Sequence, residues 1–297
     1  MAHKRWLAPW AGSDEKPAIY HTCSRIVDRR FAFGVEDKEQ FRIYMRMMEN
    51  FSGCRVLSYC LMCNHFHLLL EVPPKSTVPL SDADLLKRIG GLYPKAFVAE
   101  IAKELAAARE VVKQGLAPDG EAYVHRIHER FTYRMENLSE FMKTLLQRFT
   151  RWHNRKHERR GNLWEETFKS VIVEDGLAAR TMAAYIDLNP VRAGMVERAR
   201  DHLWSSHGHY IGLQQDRLIT PHPLVWGLGN TPFSREAAYA ELVQGGPSAE
   251  DTQALTDATL KGWALGSADF VADLQRLTER RAARLMAGRP VASSSVA

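Results

Sequence analysis

Two apolar, strand-like runs, Arg55 to Cys63 (RVLSYCLMC) and His65 to Val72 (HFHLLLEV), are separated by Asn64 alone. So short a connection leaves no chain for a crossover, and the runs must pair as an antiparallel hairpin. Pro73–Pro74 ends the second run, because proline has no N–H to give to a ladder. A lone hairpin is marginal in water; it needs further strands and a covering layer. The flanking sequence supplies both. Ala18 to Arg25 (AIYHTCSR) alternates in the manner of a strand, and Glu36 to Phe51 repeats Phe41, Tyr44, Met45, Met48 and Phe51 at helical spacing, with Gly53 as a stop.

Downstream, Ser81 to about Arg134 turns Ala/Glu/Lys-rich and helical, with breaks at Gly90–Gly91 and between Gly115 and Gly120; it reads as a helical insertion. Leu138 to Arg160 is one long amphipathic helix, Asn162 to Val173 a strand, and Gly176 to Leu188 a helix closed by Asn189–Pro190. The order βαββ, helices, β, α predicts an α+β fold, a four-strand antiparallel sheet of ferredoxin-like or RRM-like type with helices on one face. The expected organisation is an N-terminal tail (1–16), a domain over 17–200 interrupted by the insertion at about 81–134, and a C-terminal extension (201–297). Within that extension 233–243, 253–265 and 268–285 look helical, and the Ser/Ala-rich last ten residues are expected to be disordered.

At 297 residues, 45% apolar and 25% charged, the chain can build a core without disulfides or a metal staple. No segment approaches the roughly 18 apolar residues of a membrane span, and Met1 to Lys16 has no apolar signal-peptide core. Four cysteines are too few for a disulfide framework. These features point to a cytoplasmic protein with no membrane partner; they leave the oligomeric state open between monomer and dimer.

The net charge of +5 is unevenly placed. Lys143, Arg148, Arg151, Arg155, Lys156, Arg159 and Arg160 stand against one acid, Glu158, within a single predicted helix, and five arginines follow between Arg276 and Arg289. Such clusters suit a phosphate backbone, although a charge run alone is equally a solvated helix face. Aromatics interleave with the first cluster (Phe141, Phe149, Trp152, then Trp164 and Phe168), as a single-stranded partner with stackable bases would require. Trp164 and Phe168 fit the core better, being alternate residues of a strand.

Residues i and i+2 of a strand share a face, so His65 and His67 project together while Phe66 enters the other side. Two adjacent imidazoles make half a site for a divalent metal; histidines satisfied by ordinary hydrogen bonds are the plainer alternative. His21, on the first strand, either flanks that site or serves only the sheet. Tyr185 and Asn189 share a helix face four residues apart, a pairing that by itself implies no more than core packing and a helix cap.

NHFHLLLEVP, RFTRWHNRKHERRGNLWEETFKS and YIDLNPVRAG, in that order between about Tyr20 and Glu197, together resemble the REP-associated tyrosine transposases, a branch of the HUH single-tyrosine transposases. The resemblance implies that His65 and His67 are the histidine pair, Asn189 the third, amide metal ligand and Tyr185 the nucleophile. It implies a divalent cofactor, Mg²⁺ or Mn²⁺, and a single-stranded DNA partner bearing a hairpin. The basic residues Lys143, Arg148, Arg151, Arg155, Lys156, Arg159 and Arg160, with Trp152, are the expected DNA-binding set. Attack by the Tyr185 phenol on a phosphodiester would give a 5′-phosphotyrosyl intermediate and a free 3′-hydroxyl, conserving the bond so that strands rejoin without ATP. The chain departs from the pattern at Thr167, where relatives usually carry arginine, and at Trp152, where tyrosine is common.

Two other readings compete. Cys60, Cys63, His65 and His67 supply four zinc-type donors within eight residues, which would make a zinc-stabilised binding module. Alternate strand geometry places Cys60 on the face away from the other three unless the chain turns. A catalytically silent RRM-like binder would stack bases on the sheet face, but histidines occupy the positions such aromatics would take.

Overall fold

The computed structural model describes residues 6–27, 33–116, 119–219, 223–278 and 281–283. Strands β1 (Ala18–Arg25), β2 (Arg55–Leu61), β3 (His65–Val72) and β4 (Lys169–Val173) form one sheet in the order β2-β3-β1-β4, every neighbouring pair antiparallel. Helix α1 (Val35–Ser52) carries the chain from β1 over to β2. The insertion holds α2 (Asp82–Gly90), α3 (Lys95–Lys113) and α4 (Gly120–Thr132), and α5 (Leu138–Lys156) returns to β4. Helix α6 (Leu177–Asp187) and the single turn α7 (Asn189–Arg192) follow, then α8 (His207–Tyr210), α9 (Pro223–Trp226), α10 (Pro232–Gly245), α11 (Ala249–Lys261) and α12 (Ala268–Thr278). The α+β class and the four-strand antiparallel sheet are as expected.

Alternation along the strands builds the first layer. Tyr20, Phe66, Leu68, Leu70, Val56 and Tyr59 point to one face, where α1 brings Phe41, Met45 and Met48 and α5 brings Phe141, Leu145 and Phe149. The Phe41 ring centre lies 4.9 Å from Phe66 and 5.0 Å from Phe149; burying each such ring stabilises the fold by about 2–3 kcal/mol. Helix α1 begins where Asp37 Oδ2 accepts the Gly34 N–H and ends at Gly53, whose φ of 76° closes it in the left-handed region.

The second face is closed too. Ile19, Leu57, Cys60, Leu69 and Val173 pack under Ala179, Met182, Ala183 and Ile186 of α6 and Leu255 of α11. Helices on one face are therefore half of the arrangement. Leu69 sits between Leu68 and Leu70 and is as fully buried as they are, so the middle of β3 is covered on both faces.

The C-terminal extension also bonds to part of both edges of the sheet. Leu61 donates to the Trp204 carbonyl at 2.8 Å and Ser206 to that of Tyr59 at 3.0 Å, alongside β2. On the other side Leu265 donates to Ile172 at 2.9 Å and Glu174 donates to Leu265 at 2.7 Å, alongside β4. Deeper in, Asp187 accepts from Ser206 Oγ at 3.0 Å and Tyr239 Oη at 2.8 Å, with no side-chain exposure of its own. Leu218, Tyr239 and Val243 join the same core as the sheet.

Some boundaries move. Helix α5 stops at Lys156 because Glu158 and Gly161 adopt φ of 50° and 87°, which no α-helix contains. The strand expected from Asn162 begins only at Lys169; residues 163–165 instead run beside the end of β1, where Val27 donates to Leu163 at 3.0 Å and Glu165 to Arg25 at 2.8 Å. The N-terminal segment docks from Trp6 onward, with Ala8 N–H bonded to Tyr20 Oη at 3.0 Å. The last ten residues and the arginines Arg280, Arg284 and Arg289 lie outside the described residues. No helix among the described residues is long and apolar enough to cross a membrane.

Candidate active site

His65 and His67 project from β3 onto the α6 face, with Phe66 buried on the other, as the period of two requires. Antiparallel register places His21 of β1 opposite Leu69 and so on the same face. Its Nε2 lies 2.9 Å from His67 Nδ1, with the two ring centres 5.2 Å apart and their planes only 7° from parallel, an edge-to-edge contact. His65 meets His67 edge to face at 5.1 Å, and its Nδ1 lies 2.7 Å from Asn64 Oδ1. A carbonyl-type oxygen only accepts, so His65 carries its proton on Nδ1 and leaves Nε2 bare.

Desolvation keeps these rings neutral. Burial pushes His21 down to about 3; burial, with help from Arg25, pushes His65 down to about 4. His67 is held well below its ordinary value by burial and then by the neighbouring imidazoles, Arg192 and Arg25. Neutral imidazoles with free lone pairs are the form that ligates a divalent metal. The site's chemistry therefore fits the cation that the resemblance implies.

Helix α6 starts after Gly176, whose φ of 83° only glycine adopts at ease, and lies across β2 and β3. This lays the Tyr185 ring edge-on to His67 at 6.2 Å and to His21 at 6.4 Å, with only 5% of the residue exposed. The Tyr185 hydroxyl sits 3.2 Å from Thr256 Oγ1 of α11. The Arg192 guanidinium lies 4.0 Å from the centre of the Tyr185 ring, and its Nη2 donates to the Tyr185 carbonyl at 2.7 Å. Asn189 uses its amide Nδ2 as a helix cap, donating to the carbonyls of Tyr185 at 3.1 Å and Ile186 at 3.2 Å, which leaves its Oδ1 for other work. The tyrosine and the histidines, 118 positions apart between His67 and Tyr185, thus meet on one face of the sheet. His21 both flanks the site and bonds within it. Arg192 and Thr256 had no signal in the sequence beyond the place of Arg192 in YIDLNPVRAG.

The expected DNA-binding residues lie along α5 and the turn after it. Lys143, Arg151, Arg155, Lys156 and Arg160 are exposed; Arg148 and Arg159 are half-buried. Two are engaged by acids: Lys143 with Glu140 at 3.1 Å, and Lys156 with Glu36 at 2.7 Å and Asp37 at 3.3 Å. Arg148 leans over the Tyr93 ring at 5.7 Å. Stacking on bases is closed to most of the interleaved aromatics, since Phe141, Phe149, Trp164 and Phe168 are all core. Amphipathic spacing sends them inward with the rest of the apolar stripe. Trp152 is half-buried, with Lys156 Nζ 5.0 Å from the centre of its ring. Beyond that turn, Glu165 bonds to Arg25 at the end of β1, and Arg25 pairs across the sheet with His65.

The zinc alternative fares differently. The turn at 62–64, in which Met62 donates to the His65 carbonyl at 2.9 Å, folds β2 so that Cys60 pairs with His67 and shares its face. Cys60 is nonetheless fully buried, its thiol pushed well up by desolvation. Cys60, Cys63, His65 and His67 do not converge. Among the described residues, one group of three such side chains does: Asp37, His153 and His157, with donor atoms within 4.8 Å of one another. It lies between α1 and α5, behind the sheet, and Asp37 Oδ1 there already accepts from His157 Nε2 at 2.8 Å and Lys156 at 3.3 Å. A cation at that place would have to displace the Lys156 ammonium.

No curated protein matches the chain. One solved structure, described as a REP-associated tyrosine transposase bound to a REP hairpin, aligns with 75% of this chain and 93% of its own, at 10% identity and a TM-score of 0.43. Residues 16–81 match the sequence model of a family described as "Transposase IS200 like". That segment is β1, α1, β2 and β3, with His21, His65 and His67 on it. Through the strands that carry its paired imidazoles, the chain is similar to the IS200-like transposases, the wider family that its motifs led one to expect.

Proposed function

We propose that this protein is a metal-dependent, single-stranded DNA endonuclease and strand transferase that uses Tyr185 as nucleophile and takes a hairpin-bearing strand as substrate. The observation that carries the reading is the Tyr185 ring 6.2 Å from His67, on the sheet face where His65 also stands. His65 and His67, through Nε2, and Asn189, through Oδ1, would hold a divalent cation, Mg²⁺ or Mn²⁺. When bound, it supplies charge neutralisation for a non-bridging phosphate oxygen.

The chain's own groups do the rest. The Tyr185 hydroxyl leaves Thr256 by turning about its side-chain bonds, and its oxygen forms a bond to phosphorus. The bond from phosphorus to the 3′ oxygen breaks, and the phenolic proton ends on that oxygen or in solvent. The product is a 5′-phosphotyrosyl strand and a free 3′-hydroxyl; the reverse attack rejoins a strand. Arg192, beside the phenol, is placed to pair with negative charge that gathers on the phosphoryl oxygens in the transition state. Exposed Arg151, Arg155 and Arg160 track the backbone leading into the site. Strand-transfer chemistry of this kind conserves bond energy and needs no nucleotide cofactor.

The test is a denaturing gel of the full chain incubated with Mn²⁺ and a labelled, hairpin-bearing single strand. A covalent protein–DNA band is expected, absent with duplex. Tyr185→Phe should abolish the band with DNA affinity kept within a few fold, and His67→Ala should lose metal-dependent cleavage. A band that survives Tyr185→Phe overturns the assignment.

A further inference from the structure

We propose that Thr259, in the C-terminal extension, is a positioning residue that works through His21 to hold His67 in the tautomer whose Nε2 is bare. This deepens the reading of the site given above and rests on it for its purpose, though not for its geometry.

Two neutral imidazoles bonded to each other have one proton between the facing nitrogens, so the pair has two self-consistent states. In one, His67 Nδ1–H donates to His21 Nε2. In the other, His21 donates to His67, and His67 must then carry its proton on Nε2, the nitrogen that would have to face a cation. Nothing within the pair chooses between them.

Thr259 chooses. Its Oγ1 lies 2.8 Å from the Leu255 carbonyl, one turn back on α11, and 3.2 Å from His21 Nδ1. A carbonyl oxygen can only accept, so the single hydroxyl proton is engaged there, at the shorter of the two contacts. Thr259 Oγ1 is then an acceptor toward His21. His21 therefore carries its proton on Nδ1, its Nε2 is a lone pair, and the 2.9 Å contact is donated by His67 Nδ1–H. His67 Nε2 is left bare. Asn64 imposes the same state on His65 from the other side. Both strand histidines thus present Nε2, one fixed by a residue next to it in sequence and the other by one 192 positions downstream.

The surroundings protect the relay. Thr259 is 5% exposed, His21 1% and His67 7%, so water has little access to compete for these protons. The rings are nearly coplanar, with 7° between planes, so His67 cannot flip without breaking its 2.9 Å contact with His21.

The experiment uses the full chain with ¹⁵N-labelled histidine. Long-range ¹⁵N–¹H correlation spectra of the metal-free protein report which nitrogen of each imidazole is protonated, and Mn²⁺ electron paramagnetic resonance reports affinity. In the wild type, His21 and His67 should both be Nδ1–H. Thr259→Val, close in shape but without the hydroxyl, should give a mixed population with Nε2–H on His67 and weaken Mn²⁺ about tenfold. Thr259→Ser should restore both. An Nε2–H His67 in the wild type, or an unchanged His67 tautomer in a folded Thr259→Val, overturns the relay. A wild type with the expected tautomers that takes up no Mn²⁺ supports the relay and removes instead the metal from the proposed function.

Discussion

Arg192 touches Tyr185 twice, over the ring and at the carbonyl, and it is the one cation in contact with the phenol among the described residues. Arg192→Ala should lower the rate of covalent adduct formation by about 10²-fold or more, as loss of an oriented charge partner does. The measure is single-turnover kinetics, in which Arg192→Lys should recover only part, for want of the planar fork. Thr256 holds the Tyr185 hydroxyl in its resting place, so Thr256→Val should leave that rate equal to the wild type or raise it. The histidine pair was legible at this scale because a strand's period of two fixes which residues share a face. Tyr185 and Asn189 were legible only through the family motif, since a tyrosine and an amide on a helix say nothing alone. Thr256, Thr259 and the bond from His21 to His67 were not legible: each depends on a tertiary neighbour that no local spacing encodes.

Among the elements, α5 carries the electrostatic argument. Arg151 and Arg155 are exposed on one side of it. If they bind phosphates, the double change Arg151→Ala/Arg155→Ala should weaken single-strand binding at low salt. It should also flatten the slope of log K against log[salt] by roughly 0.7 for each phosphate left unneutralised. In the insertion, Asp82 at the start of α2 is bonded by Arg109 of α3 and His128 of α4, at 2.9 Å and 2.7 Å. Arg109 foremost, then His128, hold its carboxyl down to about 2 against an ordinary 3.8. The unfolded chain therefore takes up this proton first as acid is added. The stabilisation is complete above pH 3.8 and is lost as pH falls through 2. Asp82→Asn should cost about 1 kcal/mol at neutral pH in urea unfolding, and should remove this part of the acid limb. The helices here were legible from composition and glycine breaks. Their ends were less so: α5 stops where Glu158 and Gly161 leave helical φ, and nothing in so basic a stretch announces that turn.

For the molecule as a whole, the extension after residue 200 is part of the core. Tyr239→Phe would leave one oxygen of buried Asp187 with only the His207 imidazole, 3.5 Å away, and should cost about 1–3 kcal/mol, read from the shift in thermal or urea midpoint. The sheet and its order were legible because a hairpin, a crossover helix and two more strands admit few arrangements. The covering of the second face was not, because helices as weakly patterned as α10 and α11 show no contrast between inner and outer sides until the sheet they lie on is known. The strips 204–206 and Leu265, bonded to β2 and β4, carry one consequence for assembly. Where those strips lie, the rim's main-chain groups are already engaged, which leaves a second copy less of the sheet to zip onto. A version clipped near residue 200 would bare both rims at once, and its first fault would be stickiness rather than slow chemistry.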